Sequence, residues 1–190
     1  PILDAGQAMF DAPPARLDTT RIKSLLTELA QDTPLAYTAP NPAQPTPTGQ
    51  RLDRFHAPRT LSELAQLREA RPDARLLAGS TDVGLWVNKQ FRDLGDVIYL
   101  GRVNDLRTIR TQSGPLGERL WIGAGAALED AWAALTQHVP TLRELWLRFA
   151  SPPIRHAGTL GGNLANGSPI GDGAPALMAL NASIVLRRGA

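Results

Sequence analysis

Gly158-Thr159-Leu160-Gly161-Gly162-Asn163-Leu164-Ala165-Asn166-Gly167-Ser168-Pro169-Ile170-Gly171-Asp172-Gly173 is the stretch on which the reading of this chain turns. Its glycines, asparagines and hydroxyls predict irregular backbone across 157–173. A flexible linker shares that composition, but Leu160, Leu164 and Ile170 are interleaved for burial. The expectation is an ordered loop that cradles a ligand, because irregular buried backbone needs fixed hydrogen-bond partners. Gly161-Gly162 removes any Cβ from a ligand's path, Thr159, Asn163 and Ser168 supply uncharged donors, and Asp172 supplies an acceptor.

A second small-residue turn lies upstream, in Leu76-Leu77-Ala78-Gly79-Ser80-Thr81-Asp82-Val83-Gly84. A strand ending in such a turn before a helix presents consecutive N–H groups, which suits a phosphate or pyrophosphate. With no P-loop lysine following, and small-residue turns being common, an ordinary tight strand-to-helix connection is the better reading of these residues on their own. Trp121-Ile122-Gly123-Ala124-Gly125 begins like a dinucleotide fingerprint, but Leu128 occupies the place of the third small residue, so close packing is the better reading. His56, His138 and His156 show neither metal-ligand spacing nor a nucleophile motif. Trp86, Trp121, Trp132 and Trp146 lie in apolar patterns that predict core, and Phe149 ends a helix before Ala150-Ser151-Pro152-Pro153.

Around these segments the apolar spacing predicts helices over 21–29, 61–71, 128–138 and 141–149. Strands are predicted over 74–78, 96–100, 106–111, 119–122 and 182–186. The fold class is α/β (α+β): a small parallel layer with helices, then a second mixed or antiparallel sheet. Thr19 or Thr20 is expected to cap the first helix. Four prolines within 39–48 predict a semi-rigid extended linker. The expected organisation is a helical piece at 1–38, a linker at 39–50 and a globular domain at 51–190.

With 190 residues and 43% hydrophobic composition the chain can bury a core. The absence of cysteine excludes disulfides, cysteine-held zinc or iron–sulfur clusters and thiol catalysis within these residues. No apolar run approaches the ~20 residues that span a bilayer. Scattered arginines with a net charge of +2 argue against a nucleic-acid or membrane partner. There is neither an initiator Met nor a signal-peptide pattern, and 182–186 reads as a strand at the very end. Both ends are expected to continue into a longer, cytoplasmic chain.

In their order, 76–84, Ile122-Gly-Ala-Gly125, Gly158-Thr-Leu-Gly-Gly-Asn163 and Ser168-Pro-Ile-Gly-Asp172 resemble the FAD-binding domain of the molybdenum hydroxylases, over about 52–190. The resemblance implies that Leu76, Leu77, Ala78, Gly79, Ser80, Thr81, Asp82, Val83, Thr159, Leu160, Gly161, Gly162, Asn163 and Asp172 contact FAD. In that family the first turn and the Gly-Gly-Asn loop hold the pyrophosphate through backbone amides. It places Phe149 near the flavin ring and assigns no catalytic or metal residue here. Electrons would come from a molybdopterin centre through 2Fe-2S clusters and leave the flavin for NAD+. Pro1-Ile2-Leu3-Asp4-Ala5 is similar to the segment after the last cluster cysteine, as in the small iron–sulfur/FAD subunit of bacterial xanthine dehydrogenase. That implies 1–38 is the end of an iron–sulfur domain, with a molybdopterin-binding large subunit as partner in a hetero-oligomer oxidising hypoxanthine or xanthine. The alternatives are an aldehyde oxidase, nicotinate or carbon monoxide dehydrogenase type, or a non-catalytic interaction domain.

Overall fold

A computed structural model describes residues 2–12, 18–29, 33–46, 49–115 and 117–189, leaving the side chains of 42–46 outside the description. The chain divides into two units, Pro1–Asp32 and Thr33–Ala190. The first holds α1 (Ile2–Asp11) and α2 (Thr20–Glu28), neither with a buried residue. On α2 the predicted apolar face, Ile22, Leu25 and Leu26 with Leu29 just beyond it, stays exposed. The Thr19 hydroxyl makes no cap; the Thr20 N–H instead donates to Asp18 Oδ1 at 2.9 Å. That bond holds the Asp18 carboxyl below its usual pKa range.

The second unit begins with a correction. Residues expected as a linker are extended but not free: β1 (Leu35–Thr46) pairs antiparallel with β2 (Gly49–Ala57), from Leu35↔Ala57 to Thr46↔Gly49. Pro47 and Thr48 lie outside the described residues. Prolines survive here because β1 is an edge strand, where a missing N–H costs no ladder bond on the open side. The register shifts between Pro40 and Pro45. Near that shift Asn41 Nδ2 donates to Asp53 Oδ2 at 2.7 Å, and Arg51 bridges Asp53 and Asp93.

The sheet order is β1-β2-β4-β3, where β3 (Arg75–Leu77) and β2 both run parallel to β4 (Val97–Tyr99). Between β2 and β3 lies α3 (Leu61–Ala70), started by a reciprocal cap. The Glu63 N–H donates to Thr60 Oγ1, and Glu63 Oε2 accepts from the Thr60 N–H. Behind β3 comes α4 (Val83–Asn88). Ile98 and Val103 are fully buried under this layer.

The second layer opens with the hairpin β5 (Ile109–Gly114) and β6 (Gly117–Ile122). Its core is the inward face of α5 (Leu128–His138): Leu128, Ala131, Trp132 and Leu135. Around it pack α6 (Arg143–Arg148), α7 (Pro152–Ala157), α8 (Leu160–Asn166) and α9 (Gly173–Ala179). Much of 157–173, expected as irregular loop, is therefore helix. Thr159 Oγ1 accepts the Gly162 N–H, and Gly167 ends α8 in the left-handed conformation at φ +60°. A cap and a left-handed stop define a helix around glycines that disfavour one.

The predicted strand at 182–186 is absent: 182–189 has no regular structure, and Ile184, Val185 and Leu186 are 70–87% exposed. Strand-forming residues become a strand only when they pair, and 182–186 pairs with none of the described strands. Of the four tryptophans only Trp132 is fully buried. Trp86 instead carries the guanidinium groups of Arg75 and Arg92 against its ring, and Trp121 that of Arg110.

Candidate cofactor site

The two small-residue turns, at 76–84 and 158–173, meet in space. An added Cβ on Gly79 would lie 2.0 Å from the Ala157 carbonyl oxygen and 2.9 Å from Gly158 Cα. Asn166 Nδ2 reaches across to donate to Asp82 Oδ1 at 3.1 Å. This contact also occupies the one carboxylate that would repel a phosphate beside the turn.

The turns divide the work of hydrogen bonding unequally. Leu76 and Leu77 pair with Ile98 and Tyr99, so their main chain serves the sheet. From Gly79 through Ser80, Thr81 and Asp82 to Val83, no acceptor among the described residues takes a main-chain N–H. Ser80 sits at φ +61°, in the left-handed region that non-glycine residues rarely enter. Where a left-handed residue adjoins a right-handed one, successive N–H groups turn to one side and form an anion nest.

In α8 the corresponding groups are engaged. Leu160 N–H donates to the Ala126 carbonyl, Gly161 N–H to Ala124, and Asn163 N–H to Thr159. Gly161 is confined: a Cβ there would stand 2.7 Å from Ala124 Cβ and from its carbonyl oxygen. At Gly162 an added Cβ would crowd a single neighbour, Thr159 Oγ1, at 2.8 Å. Thr159 accepts the Gly162 N–H yet keeps its own hydroxyl proton to donate. Asn163 lies beside the start of α9, where a Cβ on Gly173 would sit 2.2 Å from Asn163 Oδ1. Asp172, the adjoining residue, is exposed and makes no side-chain cap.

Phe149 is 7% exposed and tilts against Trp132 with ring centroids 5.2 Å apart. The dinucleotide-like Gly123-Ala124-Gly125 is used for packing, since a Cβ on Gly123 would meet the Leu106 carbonyl oxygen at 2.1 Å. Two concavities of about 380 and 360 Å³ lie away from these turns. The larger includes His56, whose Nε2 is buried without a partner; burial and then Arg71 lower its pKa and keep the ring neutral. No group of three or more metal-ligating side chains occurs among the described residues. No helix among them is long and apolar enough to cross a membrane.

Sequence reasoning missed Arg155, Glu129 and Asn166. Arg155 falls outside the predicted helices, Glu129 lies within one, and Asn166 sits in the stretch read as irregular loop; only the fold reveals their distant partners.

A strand-to-helix turn with a free row of N–H donors, closed over by a glycine-rich helix start, defines a cofactor-binding α/β module. The chain belongs to the molybdenum hydroxylase flavin domains: residues 50–190 match the family described as FAD binding domain in molybdopterin dehydrogenase. It is 33% identical to xanthine dehydrogenase of Drosophila subobscura over 141 residues, covering 68% of this chain and 10% of that protein. It is 32% identical to the nicotinate dehydrogenase FAD-subunit of Eubacterium barkeri, covering 70% and 45%. A solved carbon monoxide dehydrogenase from Hydrogenophaga pseudoflava superposes with a TM-score of 0.55 at 31% identity, over 63% of this chain and 41% of that one. The chain thus spans a tenth to just under half of these relatives.

The residues present fit the pyrophosphate of FAD. Gly79 to Val83 offer unengaged N–H groups, and Ser80 and Thr81 add hydroxyls.

Proposed function

We propose that this chain is the flavin segment of a xanthine dehydrogenase-like molybdenum hydroxylase. It would accept electrons from 2Fe-2S clusters and deliver them to NAD+, during hypoxanthine or xanthine oxidation to urate. The observation that carries this reading is the convergence of the 79–83 amide row on the 157–166 segment, within a domain of the matching family. Bound FAD supplies a redox group able to exchange electrons singly with clusters and in pairs with a nicotinamide.

The chain's own residues bind and orient. Gly79 to Val83 hold the pyrophosphate by main-chain N–H donation, with Ala78 leading into the turn. Leu76 and Leu77 anchor it to the sheet. Thr159 and Asn163 donate from α8, Leu160 and Gly161 fix that helix start against 124–126, and Asp172 accepts at its far end. Phe149 borders the ring. Asp82, held by Asn166, keeps its charge turned from the phosphates.

Residues 1–38 are read as the end of an iron–sulfur domain of the same parent chain. The exposed apolar faces of α1 and α2, which suit packing on further structure, support that reading. The molybdopterin-binding large subunit would be the partner in a cytoplasmic hetero-oligomer. Relatives named for nicotinate and carbon monoxide dehydrogenation, at 32–33% identity, favour a flavin subunit of another substrate class as the second reading. The parent enzyme purified with its subunits should show flavin absorption bands and reduce NAD+ with xanthine. A folded, colourless enzyme that cannot be loaded with FAD would refute the site. Turnover of nicotinate or carbon monoxide but not purines would select the second reading.

A further inference from the structure

Arg155 is the one buried charged residue among those described, at 8% exposure. Its Nε donates to Glu129 Oε2 at 2.5 Å, and its Nη1 to the carbonyls of Phe149 at 3.0 Å and Ala150 at 3.2 Å. Glu129 Oε2 also accepts the Trp146 indole N–H at 3.4 Å. One carboxylate on α5 therefore ties together α6, through Trp146, and α7, through Arg155. Between those two ties lie Phe149 and Ala150, and Ala150 sits at φ +48°, where L side chains are rare. An apolar residue of similar size at 155 would fill the space without the desolvation that burying an ion pair entails. It could not bind two carbonyls and a carboxylate with one planar fork, which is what arginine supplies and lysine does not.

We infer that Arg155 and Glu129 are positioning residues for the flavin site, holding the strained Phe149–Ala150 turn so that the Phe149 ring keeps one orientation. The inference rests on the reading that Phe149 borders the flavin. Neither residue touches the cofactor; both act through the two carbonyls and the left-handed backbone between them. Hydrogen bonding to Arg155 also lowers the Glu129 pKa, which favours its carboxylate form.

The test is a rescue in the FAD-loaded parent enzyme, using Arg155→Gln, Ala150→Gly and the double variant. Arg155→Gln should weaken FAD binding at least ten-fold and alter the visible flavin spectrum. Ala150→Gly should leave both near the parent values alone, and restore most of the loss in the Arg155→Gln background, since glycine adopts the left-handed turn unaided. A role confined to stability would lower the unfolding midpoint without this selective rescue. Unchanged flavin spectrum and affinity in Arg155→Gln, or equal effects of Ala150→Gly in both backgrounds, overturns the inference. If Arg155→Gln does not fold, Arg155→Lys keeps charge and stem but loses the fork, and must show the same defect and rescue. If the unsubstituted enzyme takes up no FAD, the proposed function fails. The clamp is then judged separately, by whether Ala150→Gly restores the near-ultraviolet dichroism of the Trp132–Phe149 pair.

Discussion

Replacing Gly79 by alanine tests the central geometric claim, that the two cofactor segments touch main chain to main chain. The new methyl would stand 2.0 Å from the Ala157 carbonyl oxygen, 2.8 Å from its carbon and 2.9 Å from Gly158 Cα. All three atoms are backbone, so no side chain can swing aside, and β3 or the 157–158 link must move. Overpacking typically costs 1–3 kcal/mol; with backbone on the receiving side we expect the upper end, about 3 kcal/mol. At roughly 2–4 °C per kcal/mol for a chain of this size, the unfolding midpoint should fall by about 6–12 °C. Separating the turns would also disperse the donors, so FAD affinity should drop at least ten-fold.

The control is Gly84→Ala, five residues on in α4, where an added Cβ has nothing within 4 Å. There alanine should be neutral or stabilising by roughly 0.5–1 kcal/mol, because glycine loses more backbone entropy in a helix. Thermal unfolding followed by tryptophan fluorescence, with FAD titration by fluorescence quenching, reads both variants. A Gly79→Ala protein as stable and as FAD-competent as Gly84→Ala would refute the close approach.

Three further outcomes separate stability from binding. Gly161→Ala should destabilise because it crowds Ala124 main chain and Cβ at 2.7 Å, whereas Gly162→Ala displaces only the Thr159 hydroxyl, at 2.8 Å, and should lower the midpoint less while weakening FAD through Thr159. Paired melts and FAD titrations distinguish the two. Thr60→Ala should cost about 1 kcal/mol by removing the α3 cap and leave FAD affinity unchanged, since α3 takes no part in the site. For Glu129, a depressed folded pKa means its stabilisation is complete above the unfolded value near 4.5 and is lost as pH falls through the lower folded value. Midpoints of the unsubstituted protein and Glu129→Gln should therefore converge in acid, and a constant gap across that range would contradict the pairing.

The elements legible in sequence were those whose own apolar period states their burial. The 128–138 helix is such a case: Leu128, Ala131, Trp132 and Leu135 recur at helical spacing and form the core. The turn after β3 was legible as a candidate but not as a site, because unengaged N–H groups are defined only once every other acceptor is placed. Prolines between 39 and 46 hid β1, whose edge position forgives them. Glycines hid α8, whose cap and contacts to 124–126 outweigh their helix penalty. At 182–186 the opposite error arose, since β-branched residues suggested a strand that pairs with none of the described ones.

The sequence by itself determined the chemistry available: no thiol, no histidines at metal-ligand spacing, and two small-residue turns able to meet a phosphate, in an order that marks the family. Those properties depend on side-chain identity and local spacing, which the chain carries before it folds. Tertiary structure decided how the turns share the task. It leaves the N–H row of 79–83 open, engages that of α8 with 124–126, and brings Arg155, paired with Glu129, onto the carbonyls of a strained turn. Hydrogen bonds between residues 26 and 84 positions apart exist only when the backbone has already returned on itself, so no local pattern encodes them.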